Sequence, residues 1–451
     1  MTSTGQLLNI IPLRQPSPFP AQRVAVIGSG AAGLGAAWAL SRRHRVTLYE
    51  ADGRLGGHSH TMTVPTAIGD VPVDTGFIVY NEVNYPNLVS MFEHLGVATS
   101  QSNMSFAVSI RDGQLEYSGT GMAGLFAQRR NMARPLYWRM VWDLLRFYRE
   151  MPVLLQREDL ENITLGQLLD RQGYSKYFRF NHLYPMAAAI WSMPVHRIEE
   201  FPAATFIRFY QQHGLLTLKG RPRWRTVTGG SQAYVRAIVD DFAGQVRSGH
   251  PVREVTREAA GVRVKTDADE GVVYDQVVIA SHADQAFAML PRPSAAEHQV
   301  LGAFDYEKNA VILHRDSTLM PRRREVWSSW NYLSSGAEDV EGRLSVTYWM
   351  NRLQSIDLRA PLFVTLNPLH EPEPDAVIAR IPYDHPSFDG KALAAQKRLP
   401  EIQGADRIWY CGSYFGYGFH EDAFTSGLSV ALALGAELPW LADSAAEAAV
   451  A

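Results

Sequence analysis

The sequence predicts an α/β fold in which a parallel-sheet domain is assembled from separated stretches of chain, with a second domain inserted between them. Three observations carry this. A strand, glycine turn, helix and strand stand near the start; a strand, glycine-rich loop and small-residue helix stand near the end; short β-like runs cluster between them. The first unit, RVAVIGSGAAGLGAAWALSRRHRVTLYE from Arg23 to Glu50, has the order that a dinucleotide needs. Gly28 permits the tight turn out of the strand, Gly30 lets backbone approach a pyrophosphate, and Gly33 lets the helix pack on the sheet. Ala31 and Ala32 open a helix whose free N–H groups suit phosphate oxygens. Glu50 lies 22 residues after Gly28, at a strand end where a carboxylate accepts hydrogen bonds from ribose hydroxyls and repels a 2′-phosphate.

The residues just past this acid select the dinucleotide. A second glycine pair, Gly56-Gly57, stands in ADGRLGGHSHT, where an NAD dehydrogenase would begin its next helix. The run resembles the FAD fingerprint of the amine oxidase and phytoene desaturase superfamily, E-A-x-x-R-x-G-G-R. Here it reads Glu50, Ala51, Arg54, Gly56, Gly57 and His58, with histidine in place of the last arginine. VDTGFIVY is similar to the superfamily's next segment, which implies that Thr75, Gly76, Phe77 and Ile78 border the flavin ring. ADRIWYCGSYFGYGFHEDAFTSGLSVALAL is similar to its C-terminal FAD segment and implies contacts from Gly412, Ser413, Phe419, His420, Asp422 and Ala423. Gly412-Ser413 replaces the Gly-Asp or Gly-Thr-Glu common there. TVTGGSQAYVRAIVDDF and the strand after it resemble the central FAD segment, with Val252 passing the adenine. The resemblance implies FAD, a Rossmann-like FAD-binding domain of the glutathione-reductase-like type, and a discontinuous substrate domain of antiparallel sheet plus helices.

The expected FAD-binding stretches are 22–104, 226–295 and 404–440, and the substrate-domain insertions are 105–225 and 296–403. Residues 1–21 read as a flexible leader without a signal peptide's basic start and apolar run, and 441–451 as a flexible tail. In the first insertion ARPLYWRMVWDLLRFYREMPVLL and TLGQLLDRQG read as helices. In the second, NAVILHRD, EVWSSWNYL, RLSVTYWM, PLFVTLNP and AVIARIPY read as strands of an antiparallel sheet over one face of the flavin.

Composition narrows the class. With 46% hydrophobic and 20% charged residues the chain can bury two sizeable cores, and a formal charge of −3 argues against a nucleic-acid partner. Cys411 is the single cysteine, so no internal disulfide forms; inside IWYC it reads as a small buried side chain, neither a nucleophile nor a covalent flavin attachment. No stretch approaches the roughly 18 apolar residues of a membrane span, and the expected location is cytoplasmic or peripheral at the inner membrane face.

A flavin accepts a hydride, so the protein must hold a C–H or N–H bond near it and exclude water. No Ser-His-Asp order, metal-ligand spacing or Walker loop competes with this. In GYGFHEDAF, His420 and Glu421 are the catalytic candidates, against the bland reading that His420 and Asp422 cap the following helix and satisfy loop backbone. Amine oxidases carry an aromatic cage with a tyrosine wall at the position of Phe419, and an apolar wall suits an alkyl substrate better than an amine lone pair. Trp191, Phe209 and His213, in a Trp-, Met- and Phe-rich run, are the substrate-facing candidates, with Phe419; ordinary core packing is the alternative for most of that run. Lys308-Asn309 stand within a residue of the place where amine oxidases carry a lysine that holds water at the flavin. His314 and Trp327–Tyr332 read as packing.

Between Gly124 and Glu150 six arginines face two acids, interleaved with aromatics. Such a helix can lie on an anionic bilayer; a solvated face with arginine stems over apolar surface is the commoner outcome. GFIVYNEVNYPNL, IWSMP, VTGGSQAYV and CGSYFGYGFHEDAF together resemble bacterial FAD-dependent oxidoreductases related to the flavin domain fused ahead of plant cyclopropane fatty acid synthases. That resemblance implies dehydrogenation of a methylated or unsaturated acyl chain, with a cyclopropane-synthase-like methyltransferase as a partner. The alternatives are a flavin amine oxidase producing peroxide, a non-catalytic flavoprotein partner of such a methyltransferase, and, more weakly, a non-redox flavin isomerase.

Overall fold

The computed structural model describes residues 20–336 and 345–441; the expected leader, but for its last two residues, and all but the first residue of the expected tail lie outside the described residues. Five parallel strands form the first sheet, in the order Gln245–Arg247, Arg45–Tyr49, Arg23–Ile27, Gln276–Ile279, Ile408–Tyr410. Three remote stretches of chain therefore meet in one layer. The central strand Arg23–Ile27 is buried from Val24 onward, as its continuous apolar run requires when both faces are covered.

Two helices cover one face. Ala31–Ser41 is buried from Ala31 to Leu40, and His420–Ala433 packs along it so closely that a Cβ at Gly427 would stand 2.0 Å from the Ala32 carbonyl oxygen. The Ala-rich composition of both helices has this cause: only small side chains allow the approach. Cys411 is fully buried beside them, and burial pushes its thiol far above the usual range.

The second large sheet has seven strands, in the order Val377–Pro386, Tyr306–His314, Phe363–Leu366, Ser345–Trp349, Trp330–Ser334, Phe106–Ile110, Leu115–Ser118. It is antiparallel except where Trp330–Ser334 runs parallel to Phe106–Ile110. The β-like runs of the second insertion enter it as expected, although EVWSSWNYL contributes only its last residues, after a short 3-10 turn at Arg324–Val326. The first insertion, whose sequence reads as largely helical, also supplies a hairpin to this sheet. Its residues alternate weakly, and pairing with Trp330–Ser334 supplies what the local sequence lacks.

The helices of the first insertion, chiefly Pro135–Leu154 and Ala203–Gln212, pack against that sheet in one apolar core. Pro135 opens the first of them where a missing N–H costs nothing. Leu165–Arg171 is closed at its start by a reciprocal cap between Thr164 and Gln167. The run VVYDQVVIA splits: Val272–Tyr274 completes a small antiparallel sheet with Val252–Glu258 and Gly261–Thr266, and Gln276–Ile279 joins the parallel sheet.

Candidate active site

One cavity of about 1920 Å³ runs between the two large sheets. Single-ligand pockets span roughly 300–1,000 Å³, so this space can take a dinucleotide and a second molecule together.

The first arm is made mostly of backbone. Gly28 has φ +101°, and a Cβ there would lie 2.8 Å from the Ala280 carbonyl oxygen, so the turn admits only glycine. A Cβ at Gly33 would meet the Gly28 oxygen at 1.8 Å; a Cβ on Gly30 would meet nothing within 4 Å, which leaves that backbone open to the cavity. Ala31 and Ala32 stand on the wall at the helix start. Glu50 Oε2 accepts from the Ser29 amide (2.9 Å) and hydroxyl (2.5 Å), and Oε1 from the Asp52 amide (3.0 Å), which holds the carboxylate at the rim. Ala51, Arg54, Gly57, His58, Val252, Gly412 and Ser413 line the same arm, together with Thr75, Gly76, Phe77 and Ile78. Gly33 and Gly56 stand behind the wall. Gly56 donates its N–H to Ser29, and its role is to shape the loop.

Two histidines that the sequence does not single out, His282 and His385, join His58 at the border of this arm. His58 stacks on Tyr383 at 4.6 Å and lies 5.7 Å from His385 and 6.2 Å from His282. Burial holds His58 well below the usual histidine range, His385 at about 4, and His282 below its ordinary value, so all three are neutral at pH 7. The ring nitrogens His58 Nε2 and His282 Nδ1 are buried without protein partners, which suits a ligand rich in acceptor oxygens. Strand alternation puts Tyr383 and His385 on one face, but nothing local marks that face as facing the cavity.

The second arm is made of side chains. Phe209 stacks on Phe419 (5.1 Å) and on His213 (3.9 Å). Beyond them the wall is mainly apolar and includes Leu144, Met186 and Ile190, with Tyr117, Tyr148, His182 and Arg221 also on it, and it reaches a mouth at the exposed residues Met122, Leu145 and Leu218. His213 Nδ1 bonds the Phe209 carbonyl at 2.9 Å; because a carbonyl only accepts, Nδ1 carries the proton and Nε2 is left as a lone-pair acceptor. Burial lowers this imidazole to about 4.

Of the two catalytic candidates, neither is free for proton transfer. His420 lies on the wall, stacked on Phe77 at 3.8 Å, but its Nε2 is held by Tyr234 Oη at 2.5 Å and Ser59 Oγ at 3.3 Å, and burial lowers it to about 3. Glu421 is off the cavity altogether: it accepts from the Asn87 and Leu88 amides at the start of helix Pro86–His94. Asp422 is likewise a capping group, accepting from the Tyr417 and Phe419 amides, while Ala423 reaches the wall. The capping alternative thus describes Asp422, while Glu421 caps a different helix, Pro86–His94. Trp191 does not reach the cavity either; it packs behind Phe209 (4.6 Å) and against Phe201 (4.9 Å). Lys308 is exposed, paired in register with Asp384 across the sheet edge, and no lysine lines the cavity among the described residues. His314 is buried on Thr365 at 2.7 Å, away from the site.

A glycine turn, a carboxylate anchored at the end of the second strand and a cavity continuing into an aromatic arm have the layout of a dinucleotide-binding protein with an adjoining apolar site. The chain belongs to the flavin containing amine oxidoreductase family, which matches residues 31–352, and its cofactor is FAD. AofH of Mycobacterium tuberculosis, which bears the name of a flavin-containing monoamine oxidase, is 25% identical over 291 residues, 62% of this chain. The chain spans 61% of the length of that relative. Among solved structures, the fold is similar to a fatty acid isomerase from P. acnes that produces CLA (TM-score 0.69, 14% identity, 92% of this chain and 99% of that one). It is also similar to putrescine oxidase bound to putrescine (0.67, 17%, 91% and 98%) and to cyclohexylamine oxidase from Brevibacterium oxydans (0.64, 14%, 92% and 99%).

Proposed function

We propose that the protein dehydrogenates a methylated or unsaturated fatty acyl chain. The observation that carries this reading is the character of the second arm: long, apolar, and without a carboxylate. The acids on the cavity wall are Glu50 and Asp52 at the nucleotide end and Asp384 among the histidines. A cationic amine would gain no counter-charge along the apolar arm, whereas an acyl chain would bury against it at about 25 cal/mol per Å² of apolar surface. The absence of a cavity lysine among the described residues weighs the same way.

Residues of the first arm would hold FAD: the Gly28–Ala32 turn its pyrophosphate, Glu50 its ribose, and Gly76–Ile78 with Phe419 the ring end. Bound FAD supplies the two-electron acceptor for hydride removal. Phe209 and Phe419 press the reacting carbon against that end and exclude water. The accompanying proton goes to His213 Nε2, whose imidazole is neutral at pH 7 and keeps a free lone pair there. The product gains one double bond. Oxygen or another acceptor takes the electrons afterwards.

Folds similar to this one serve both a fatty acid isomerase and amine oxidases, so fold does not choose between them. The family match and AofH favour the second reading, a flavin amine oxidase releasing peroxide. Kinship with the flavin domain of cyclopropane fatty acid synthases, the glutathione-reductase-like sheet subtype and a methyltransferase partner belong to the acyl reading. The deciding measurement is anaerobic absorbance near the flavin band at ~450 nm with lipid extracts and amines in parallel. Bleaching by lipid supports the proposal; bleaching by amine alone replaces it with the second reading; bleaching by neither overturns both.

A further inference from the structure

We propose that the mouth of the second arm docks on an anionic lipid bilayer, through the outer face of helix Pro135–Leu154 and the loop 217–223. Trp138, Trp142, Leu145, Arg149 and Val153 recur at intervals of three or four residues and so form one stripe along this helix. The stripe's apolar members are exposed: Trp138 48%, Trp142 58%, Leu145 46% and Val153 66%. A single exposed apolar residue needs no explanation, but a continuous stripe does. Leu145 belongs to both the stripe and the cavity wall, and the other mouth residues Met122 and Leu218 are 70% and 64% exposed. Leu145 therefore joins the exposed stripe to the cavity wall.

Charge chooses the occupant. Lys219, Arg221 and Arg223 are exposed on the loop beside the mouth, and Arg221 bonds Tyr148 on the helix. No acid occurs in the sequence from Phe201 to Val239. On the helix, Asp143 is buried and bridges Arg139 and Arg146, and Glu150 is spent on Arg146 and Arg149, so neither offsets the loop. A second copy of this chain placed across a two-fold axis would set these cations against each other. An anionic membrane satisfies both components: indoles and aliphatic side chains enter the interface while the cations meet headgroups. The helix does not cross the membrane; among the described residues no helix is long and apolar enough to do so.

This surface stands independently of which molecule is oxidised, because its test reads binding. The FAD-loaded full chain is floated with vesicles of phosphatidylcholine alone and of phosphatidylcholine with phosphatidylglycerol. The expected result is flotation with the anionic vesicles, loss in high salt, and little flotation with the neutral ones. Neither Trp142→Glu/Val153→Glu nor Lys219→Glu/Arg223→Glu touches the cavity wall; both keep the flavin spectrum, and the charge pair lowers partitioning roughly fivefold per reversed cation or more. Absence of flotation, or flotation that both variants leave unchanged, overturns the proposal. So does a doubled solution mass that Trp142→Glu/Val153→Glu restores to the monomer value, since a second copy would then be the occupant.

Discussion

The two arms of the cavity are built from different materials. The nucleotide arm is backbone and one carboxylate: Gly28, Gly30, Gly57, Gly76 and Gly412 line it, with Glu50 held in place by Ser29. The second arm is side chains drawn from helices and strands far apart in sequence, with Phe209, His213 and Phe419 at its inner end. Backbone recognition demands a fixed local conformation and so a short contiguous motif. Side-chain recognition demands only that the right groups converge, and many sequences achieve that.

The contrast predicts a graded response to substitution. The largest effect belongs to Gly33→Val. A Cβ 1.8 Å from the Gly28 oxygen leaves no room for the turn, so the variant is expected to purify colourless or aggregated, read from the ratio of flavin to protein absorbance. Next, His213→Phe is expected to keep bound FAD but slow its reduction by substrate on the order of 10²–10⁴-fold, read by anaerobic stopped flow. In the native enzyme that reduction rate should hold as pH falls toward about 4 and drop below it, because the neutral imidazole is the proton acceptor. Glu50→Gln removes a charge-assisted acceptor worth roughly 1.5–3 kcal/mol, so FAD should dissociate about 10- to 100-fold more readily, read by the fluorescence of released flavin. A rate loss in Glu50→Gln at saturating FAD would break the division between the arms.

Glu421 sharpens the comparison through stability. Burial pushes its carboxyl from an ordinary 4.5 up to about 8, against the Asn87 and Leu88 amides that favour its charged form. The folded protein therefore prefers the protonated acid. That contribution is fully present below 4.5 and is lost as pH rises through about 8, so Tm should fall across this range. In Glu421→Gln this fall should be absent, so the Tm difference from the native protein should change between pH 4.5 and about 8, with the flavin spectrum unchanged. The smallest effect is expected for Trp191→Phe: a partly volume-conserving change behind the wall should cost about 1.5 kcal/mol or less in denaturant unfolding and leave turnover intact.

Much of the nucleotide arm is legible in the sequence because each of its residues answers a local requirement. A turn with φ +101° at Gly28, an amide-anchored acid after a strand and a helix without side chains at its contact face each leave a trace in adjacent residues. The second arm is legible only in part. Phe419 is identifiable within a flavin-like segment, and Phe209 and His213 within a Trp-, Met- and Phe-rich run, but Trp191, from the same run, packs behind Phe209. Helical spacing alone does not say which of several apolar residues meets a cavity and which meets a core. Of the histidine group only His58 leaves a sequence signal, since His282 and His385 come from two other segments and only tertiary packing brings the three together.

His420, Glu421 and Asp422 show the same limit in three consecutive residues. Their types suit acid–base chemistry, and the sequence places all three at the start of the C-terminal helix. Tertiary contacts then assign them to Tyr234 and Ser59, to the amides of Asn87 and Leu88, and to the loop before the helix. The amino-acid sequence by itself determined the glycine turn, the acid after the second strand and the strands of the parallel sheet other than Gln245–Arg247, because steric and hydrogen-bonding demands there act within a few residues. The tertiary structure alone decided which of the loop's polar groups are already engaged and where the apolar arm opens, because those depend on contacts between segments far apart in the chain.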